Sequence, residues 1–260
     1  MIELPTAFFV VFFAAFGLIV GSFLNVCIYR LPLKQSIVWP ASRCTTCERP
    51  LEWYENVPVV AWVALGGRCR TCHTRVSAMY PIVELVTGAL FVGAYLLYGV
   101  TPLMFVRTAF GCAMIVLFVI DLQHRILPNV ITVTGVPIGF VLSLFLPPGW
   151  QESLIGLLVG GGVLFVIGEA YYRLRGIDGL GMGDVKMLAM IGAVLGWRAV
   201  LVTLVLSSCS GALVGAAVMS RTKDGMRYAL PFGTFLSIGA LAASLVGEPL
   251  VAWYLSFYPQ

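Results

Sequence analysis

Asp121 closes the apolar run Cys112 to Ile120, and Asp184 ends the segment Gly181-Met182-Gly183-Asp184. Ionisable groups at membrane depth are costly, so they usually mark function. Two carboxylates held close cannot both ionise easily: one keeps a proton, and together they can activate a water and protonate a leaving amine, which is aspartic protease chemistry. The same acids also fit a proton relay, a cation site, or simple pairing with Lys186 or Arg125. Gly181 and Gly183 permit irregular backbone beside Asp184, and would suit a helix that starts late next to a wet cavity.

A second block is Cys44-Thr45-Thr46-Cys47, followed after 21 residues by Cys69-Arg70-Thr71-Cys72. Two C-x2-C knuckles make a tetrahedral thiolate site, so Cys44, Cys47, Cys69 and Cys72 are expected to hold a structural Zn2+. A closed four-cysteine site keeps no open coordination position and is not catalytic. Its work would be to fix a loop of about fifty residues, too small to build a large core of its own. His73 follows Cys72 directly and would be a substitute ligand, but four cysteines suffice. Cys27, Cys112 and Cys209 lie in or at the ends of apolar runs and read as small buried hydrophobes.

The elements that must position these groups follow from composition. With 60% hydrophobic and 11% charged residues, the chain cannot keep a water-facing globular surface and reads as a polytopic membrane protein. Apolar runs of spanning length recur at about 8 to 26, 81 to 98, 102 to 121, 129 to 147, 153 to 173, 185 to 197, 199 to 219 and 232 to 254. Their Leu, Val, Gly and Ala content predicts helices, so the expected fold is all-α with about eight transmembrane helices. The run Phe8 to Val26 follows Glu3 and no basic residue, and lacks a small-residue cleavage site, so it is expected to be a retained first helix. The expected parts are a first helix over 1–29, a zinc-binding loop over 30–80 and a seven-helix membrane domain over 81–260.

Basic residues orient the spans, because Lys and Arg at span ends stay cytoplasmic. Of the 16 basic residues, all but Arg107 and Arg198 fall at the ends of spans, or in loops, on one side of the predicted topology; Lys223 and Arg227 are among them. That side is therefore cytoplasmic, both termini are expected in the periplasm, and both acids are expected near the cytoplasmic boundary. Within the loop, Val57 to Leu65 is too short to cross; it packs under the zinc site or rests on the membrane with Trp53, Tyr54 and Trp62. Gly156, Gly160, Gly211 and Gly215 are assigned to helix packing, and Glu169 with Arg173 to an i,i+4 pair.

These residues resemble the type IV prepilin peptidases, including those of type II secretion. The resemblance is carried by Gly21-Ser22-Phe23-Leu24-Asn25-Val26, Tyr29-Arg30-Leu31-Pro32, the paired knuckles and Tyr80-Pro81-Ile82-Val83-Glu84-Leu85. It continues in Asp121 with Leu127-Pro128-Asn129, in Gly181-Met182-Gly183-Asp184-Val185-Lys186 and in Leu230-Pro231-Phe232-Gly233. Thr45 and Asn129 depart from residues common in the family, a proline and an acid respectively. The resemblance implies a GxGD-type intramembrane aspartic protease bundle in the bacterial inner membrane, with Asp121 and Asp184 catalytic. It further implies cleavage of the basic leader of prepilins or pseudopilins after Gly, then methylation of the new N-terminus using S-adenosylmethionine.

Glu84, near the start of the second span, either binds the substrate's new amino group or holds Arg75 or Arg30. Lys186 either tunes Asp184 or extends to the interface, and the interface is favoured. No Gly-rich strand-to-helix fingerprint of a nucleotide-binding sheet is found, so the sequence does not place the S-adenosylmethionine site. No nucleic-acid partner is expected. The rival readings are a peptidase without methylation, a presenilin-like protease cutting nearer the midplane, a proton-coupled transporter, which would show repeat symmetry, and a zinc-stabilised scaffold that leaves both acids idle.

Overall fold

The computed structural model describes residues 5–176, 181–221 and 231–257. Glu3, Lys223, Arg227 and Leu230, used in the sequence reading, lie outside the described residues. The elements are α1 (Thr6–Arg30), a 3-10 turn (Trp53–Asn56), α2 (Val60–Ala64), α3 (Met79–Tyr98), α4 (Pro102–His124) and α5 (Asn129–Leu142). They continue with α6 (Trp150–Arg175), α7 (Met182–Leu195), α8 (Trp197–Arg221) and α9 (Phe232–Leu255). Two isolated β-bridges, Arg43 with Pro50 and Arg68 with Arg75, are the only extended pairings among the described residues.

The architecture is all-helical, with α1, α3, α4, α6 and residues 197–220 of α8 long and apolar enough to cross a membrane. The other expected runs are helical too, but α5 and α7 have 14 residues each, or about 21 Å of helix against a hydrocarbon core of about 30 Å. The expected run 129 to 147 ends at Leu142 because the chain leaves the helix ahead of Pro147, Pro148 and Gly149; Ser143 Oγ donates to the Phe140 carbonyl as it does so. The run expected at 185 begins at Met182, which draws Asp184 into the first turn of α7.

Two compact units divide the chain within α4, Met1–Val116 and Leu117–Gln260. In the first, α1 packs along α3, and Phe13, Phe91, Ala94 and Met104 form a buried cluster. Phe9 and Phe13 stack on Tyr95 with ring centroids 5.6 and 5.2 Å apart, a geometry that adds to simple burial. After α1, the Arg30 guanidinium donates to the carbonyls of Ser36, Pro40 and Ala41, tying the start of the long loop to the helix end.

In the second unit, α6 and α7 meet backbone to backbone. A Cβ on Gly156 would lie 2.7 Å from the Gly196 carbonyl carbon, and one on Gly192 2.9 Å from the Leu157 nitrogen. Gly160 faces the Leu188 carbonyl just as closely, and Ser153 Oγ donates to the Ala193 carbonyl at 2.6 Å. The packing role expected for Gly156 and Gly160 is what this seam uses. Gly211 is different: a Cβ there would meet the Phe235 ring at an ordinary 3.6 Å. We therefore expect Gly160→Val to destabilise the purified protein by about 1–3 kcal/mol or more, since the new atoms meet backbone that cannot swing away. Gly211→Ala should stay within about 0.5 kcal/mol; thermal unfolding of both variants in one detergent measures the contrast.

Candidate active site and metal centre

Asp121 occupies the last turn of α4 with only 5% of its surface exposed. Its Oδ2 accepts the backbone N–H of Thr234 at 2.6 Å and the Thr234 hydroxyl at 3.0 Å. Thr234 lies in the first turn of α9, where backbone N–H groups lack intrahelical acceptors and the helix dipole favours negative charge. The Asp121 carboxylate thus satisfies a helix end 113 residues away. A Cβ on Gly233 would stand 3.0 Å from Asp121 Oδ2, so only glycine lets the strand of chain entering α9 come this close.

Asp184 is half-buried in the first turn of α7, its backbone N–H closing onto the Gly181 carbonyl at 3.0 Å. Leu127 joins the two acids' surroundings. A Cβ on Gly183 would lie 3.2 Å from Leu127 Cβ, and one on Gly233 3.0 Å from Leu127 Cδ1. The carboxylates are close enough to act on each other electrostatically, and Asp121 also feels the Arg125 charge. Their settings differ: Asp121 is oriented by two donors, whereas among the described residues no donor reaches the Asp184 carboxylate. One fixed acid beside one with free lone pairs can hold a water and share a proton.

Of the pairings weighed for Lys186, the structure shows another. Its Nζ donates to Asn129 Oδ1 at 3.1 Å, across 57 residues, so it links the first residue of α5 to the first turns of α7. The expected Glu169 and Arg173 pair is present at 2.7 Å.

The four cysteines come together within the first unit, all Sγ atoms lying within 4.8 Å of one another, with Cys44 and Cys72 3.8 Å apart. A regular tetrahedron of ~2.3 Å Zn–S bonds has edges of about 3.8 Å, so the donor set fits zinc in number, chemistry and spacing. The two knuckles are copies of one turn. Glu48 N–H returns to the Cys44 carbonyl and His73 N–H to the Cys69 carbonyl, both at 3.0 Å, while Cys44 and Cys69 donate to the carbonyls of Arg49 and Thr74. Each turn closes on a left-handed residue, Glu48 at φ 56° and His73 at φ 54°. His73 is thereby used as a turn residue and is outside the sulfur cluster.

The Thr74 hydroxyl and backbone N–H hold the Cys72 thiol down at about 6, and the backbone N–H groups of Cys72 and Thr71 lower Cys69. Thiolates are the forms that bind metal. Arg49 grips Glu55 through two bonds of 2.7 and 2.9 Å, and Glu55 also accepts Glu52 N–H at 2.9 Å. Those donors, Arg49 first, hold Glu55 below the usual carboxylate range. The pair pins the 3-10 turn to the first knuckle. Of the remaining cysteines Cys27 is buried, whereas Cys209 is exposed on α8 rather than packed as expected.

Glu84 lies in the first unit with the cysteine loop. Its carboxylate accepts Val59 N–H at 2.7 Å and a bond from Ser22, while Arg30 is committed to loop carbonyls. No ion pair joins it to Arg30 or Arg75 among the described residues. Val59 holds φ 60°, a conformation costly for a β-branched residue. The 57–65 segment reaches the start of α3 through Val59 N–H, Trp62 Nε1 donates to the Val76 carbonyl at 3.1 Å, and Val57, Ala61, Trp62 and Leu65 share a cavity wall with Cys44 and Cys69. Thr234 and Leu127 are the site residues that sequence reasoning missed as participants. The strings Leu127-Pro128-Asn129 and Leu230-Pro231-Phe232-Gly233 flagged their neighbourhoods without assigning a role.

Residues 15–98 match the bacterial peptidase A24 N-terminal domain, and residues 108–216 match the type IV leader peptidase family. A prepilin leader peptidase/N-methyltransferase of Burkholderia pseudomallei (strain 1026b) is 35% identical over 274 residues, covering 95% of this chain and 88% of that protein. One from Myxococcus xanthus (strain DK1622) is 41% identical over 215 residues, covering 82% and 64%. One from Pseudomonas putida is 33% identical over 278 residues, covering 96% and 95%. No solved structure matches.

Proposed function

The chain belongs to the type IV leader peptidase family, and we propose that it is a membrane aspartic endopeptidase with a second, methyl-transferring activity. It cleaves the basic leader of type IV prepilins or pseudopilins after Gly and N-methylates the new terminus with S-adenosylmethionine. The observation that carries the reading is the pair of acids at neighbouring helix ends of one unit, Asp121 fixed by Thr234 and Asp184 without a donor among the described residues. A transporter or scaffold gives no reason for that asymmetry.

In this reading one aspartate is ionised and takes a proton from water as the water oxygen bonds to the scissile carbonyl carbon; the neutral partner donates to the carbonyl oxygen. The carbon–nitrogen bond then breaks and the leaving amine takes a proton from the pair. Protons belong to the pair jointly, so neither acid is assigned the base role. The two Thr234 donors keep Asp121 aimed and Leu127 walls the space between the acids. Lys186, held on Asn129, borders the substrate approach. Glu84 binds the new amino group. Zn2+ on Cys44, Cys47, Cys69 and Cys72 fixes the loop over 30–80, between the first helix and the membrane domain over 81–260. We place the protein in the bacterial inner membrane, with eight crossings, periplasmic termini and the acids near the cytoplasmic face, following the basic residues.

Reconstituted protein should cut a prepilin-like peptide, carrying a basic leader, Gly at the cut and an apolar helix after it, and mass spectrometry should find the cut after Gly. Failure to cut any such peptide would sink the reading. Thr234→Val, which removes the hydroxyl but keeps the N–H, should slow cleavage about tenfold, and Thr234→Ser should restore it. Equal rates in all three would show that the hydroxyl does not orient Asp121.

A further inference from the structure

The first unit holds a partly open cavity of about 520 Å3 between α1, α3 and the cysteine-bearing loop, within the range of small-molecule sites. Its wall includes Asn25, Tyr29, Val59, Ala61, Trp62 and Glu84. Glu84 is 7% exposed, and among the described residues it has no cationic partner. Nothing in the aspartate chemistry uses this cavity. Its walls are held by specific bonds: Asn25 Nδ2 donates to the Tyr80 carbonyl at 3.0 Å, Trp62 is tied to Val76, and Val59, at φ 60°, donates its N–H to Glu84. A β-branched residue at positive φ beside a buried carboxylate is the kind of local strain that clusters at ligand sites.

We propose that this cavity is the binding site of S-adenosylmethionine, with Glu84 at its cationic end; the proposal rests on the methyltransferase reading above. The chemistry matches in three respects. A buried carboxylate without a cationic partner favours a sulfonium. An indole and a phenol ring flank an aromatic base or a cation. Arg68 and Arg75, exposed side chains lining the same space, suit the ligand's own carboxylate. S-adenosylmethionine supplies an electrophilic methyl group. In the transfer a carbon–nitrogen bond forms to the neutral terminal amine as the carbon–sulfur bond breaks, sulfur leaves as a neutral thioether, and the new ammonium releases one proton. Glu84, which binds that amine in the reading above, is placed to receive it.

The test uses the full-length, zinc-loaded protein in detergent. Radiolabelled S-adenosylmethionine is photocrosslinked to wild type and the labelled peptide is mapped; binding of S-adenosylmethionine and of neutral S-adenosylhomocysteine is measured by calorimetry for wild type, Glu84→Gln and Ala61→Phe. The label should fall within residues 22–84. Glu84→Gln should weaken S-adenosylmethionine about tenfold or more and S-adenosylhomocysteine far less, because only the first carries the sulfonium. Ala61→Phe, which fills the space, should weaken both. Crosslinking within 117–260, or wild-type affinity in both variants, overturns the proposal while leaving the methyltransferase reading intact. Absence of binding by wild-type protein that cleaves normally overturns both. Because the mapped label is read on wild type, the result does not depend on how the variants fold.

Discussion

Asp121→Asn and Asp184→Asn will each abolish leader cleavage, lowering the rate at least a hundredfold, while leaving the protein folded and zinc-loaded. The two losses should be equal in size although the environments are not. Asp121 already receives two hydrogen bonds on one oxygen, so Asp121→Asn keeps much of its geometry and loses its charge and its share of the common proton. Among the described residues no donor reaches Asp184, so Asp184→Asn is expected to remove chiefly its ionisation. Because the proton belongs to the pair, each substitution disables the same unit, and the double variant should be no slower than either single one. Rates measured on the reconstituted peptide, with thermal melting beside them, decide the matter. Normal cleavage by either variant would make these acids structural or ion-handling.

Removing the metal should separate the two activities. The sulfurs hold spacing suited to zinc, and the Arg49–Glu55 grip ties the same knuckle to the turn that leads into the Glu84 wall. In Cys72→Ser, or after chelation, the loop between α1 and α3 loses its cross-link, and methyl transfer should fall by more than tenfold while aspartate-dependent cleavage falls less. Parallel cleavage and methylation assays with metal quantification test this, and preserved methylation in a stable, zinc-free protein would contradict it. Acid should act in the same direction, because protons compete with the metal for the four thiolates, so metal and methyl transfer should be lost together as pH falls.

The helices and the chemistry-bearing residues were legible because they are local signals: apolar runs give spans, and cysteine spacing gives a four-sulfur cluster. The acids were legible for the opposite reason, as charges that apolar surroundings make costly. What failed was long-range or conformational. Thr234 meets Asp121 across 113 residues, and Lys186 meets Asn129 across 57; no periodicity encodes either. Glu84 was not legible because its partner is a backbone N–H 25 residues away, that of Val59. The end of α5 at Leu142 and the early start of α7 show how proline and glycine at the ends of a run decide its helical length more than its hydropathy does.

The glycine seam of α6 and α7 sets a vertical reference. A helix of 14 residues is too short for hydrophobic length alone to fix its height in a bilayer. Its 26-residue neighbour is long enough to be seated by both interfaces. Because Gly156, Gly160 and Gly192 leave no side chain between the two backbones, α7 can neither slide nor roll without collision. The short helix therefore takes its height from the long one. In the proposed reading Asp184 is then a stationary mark against which an arriving chain is measured, and the place of the cut would be set by how deeply the substrate's own apolar segment seats.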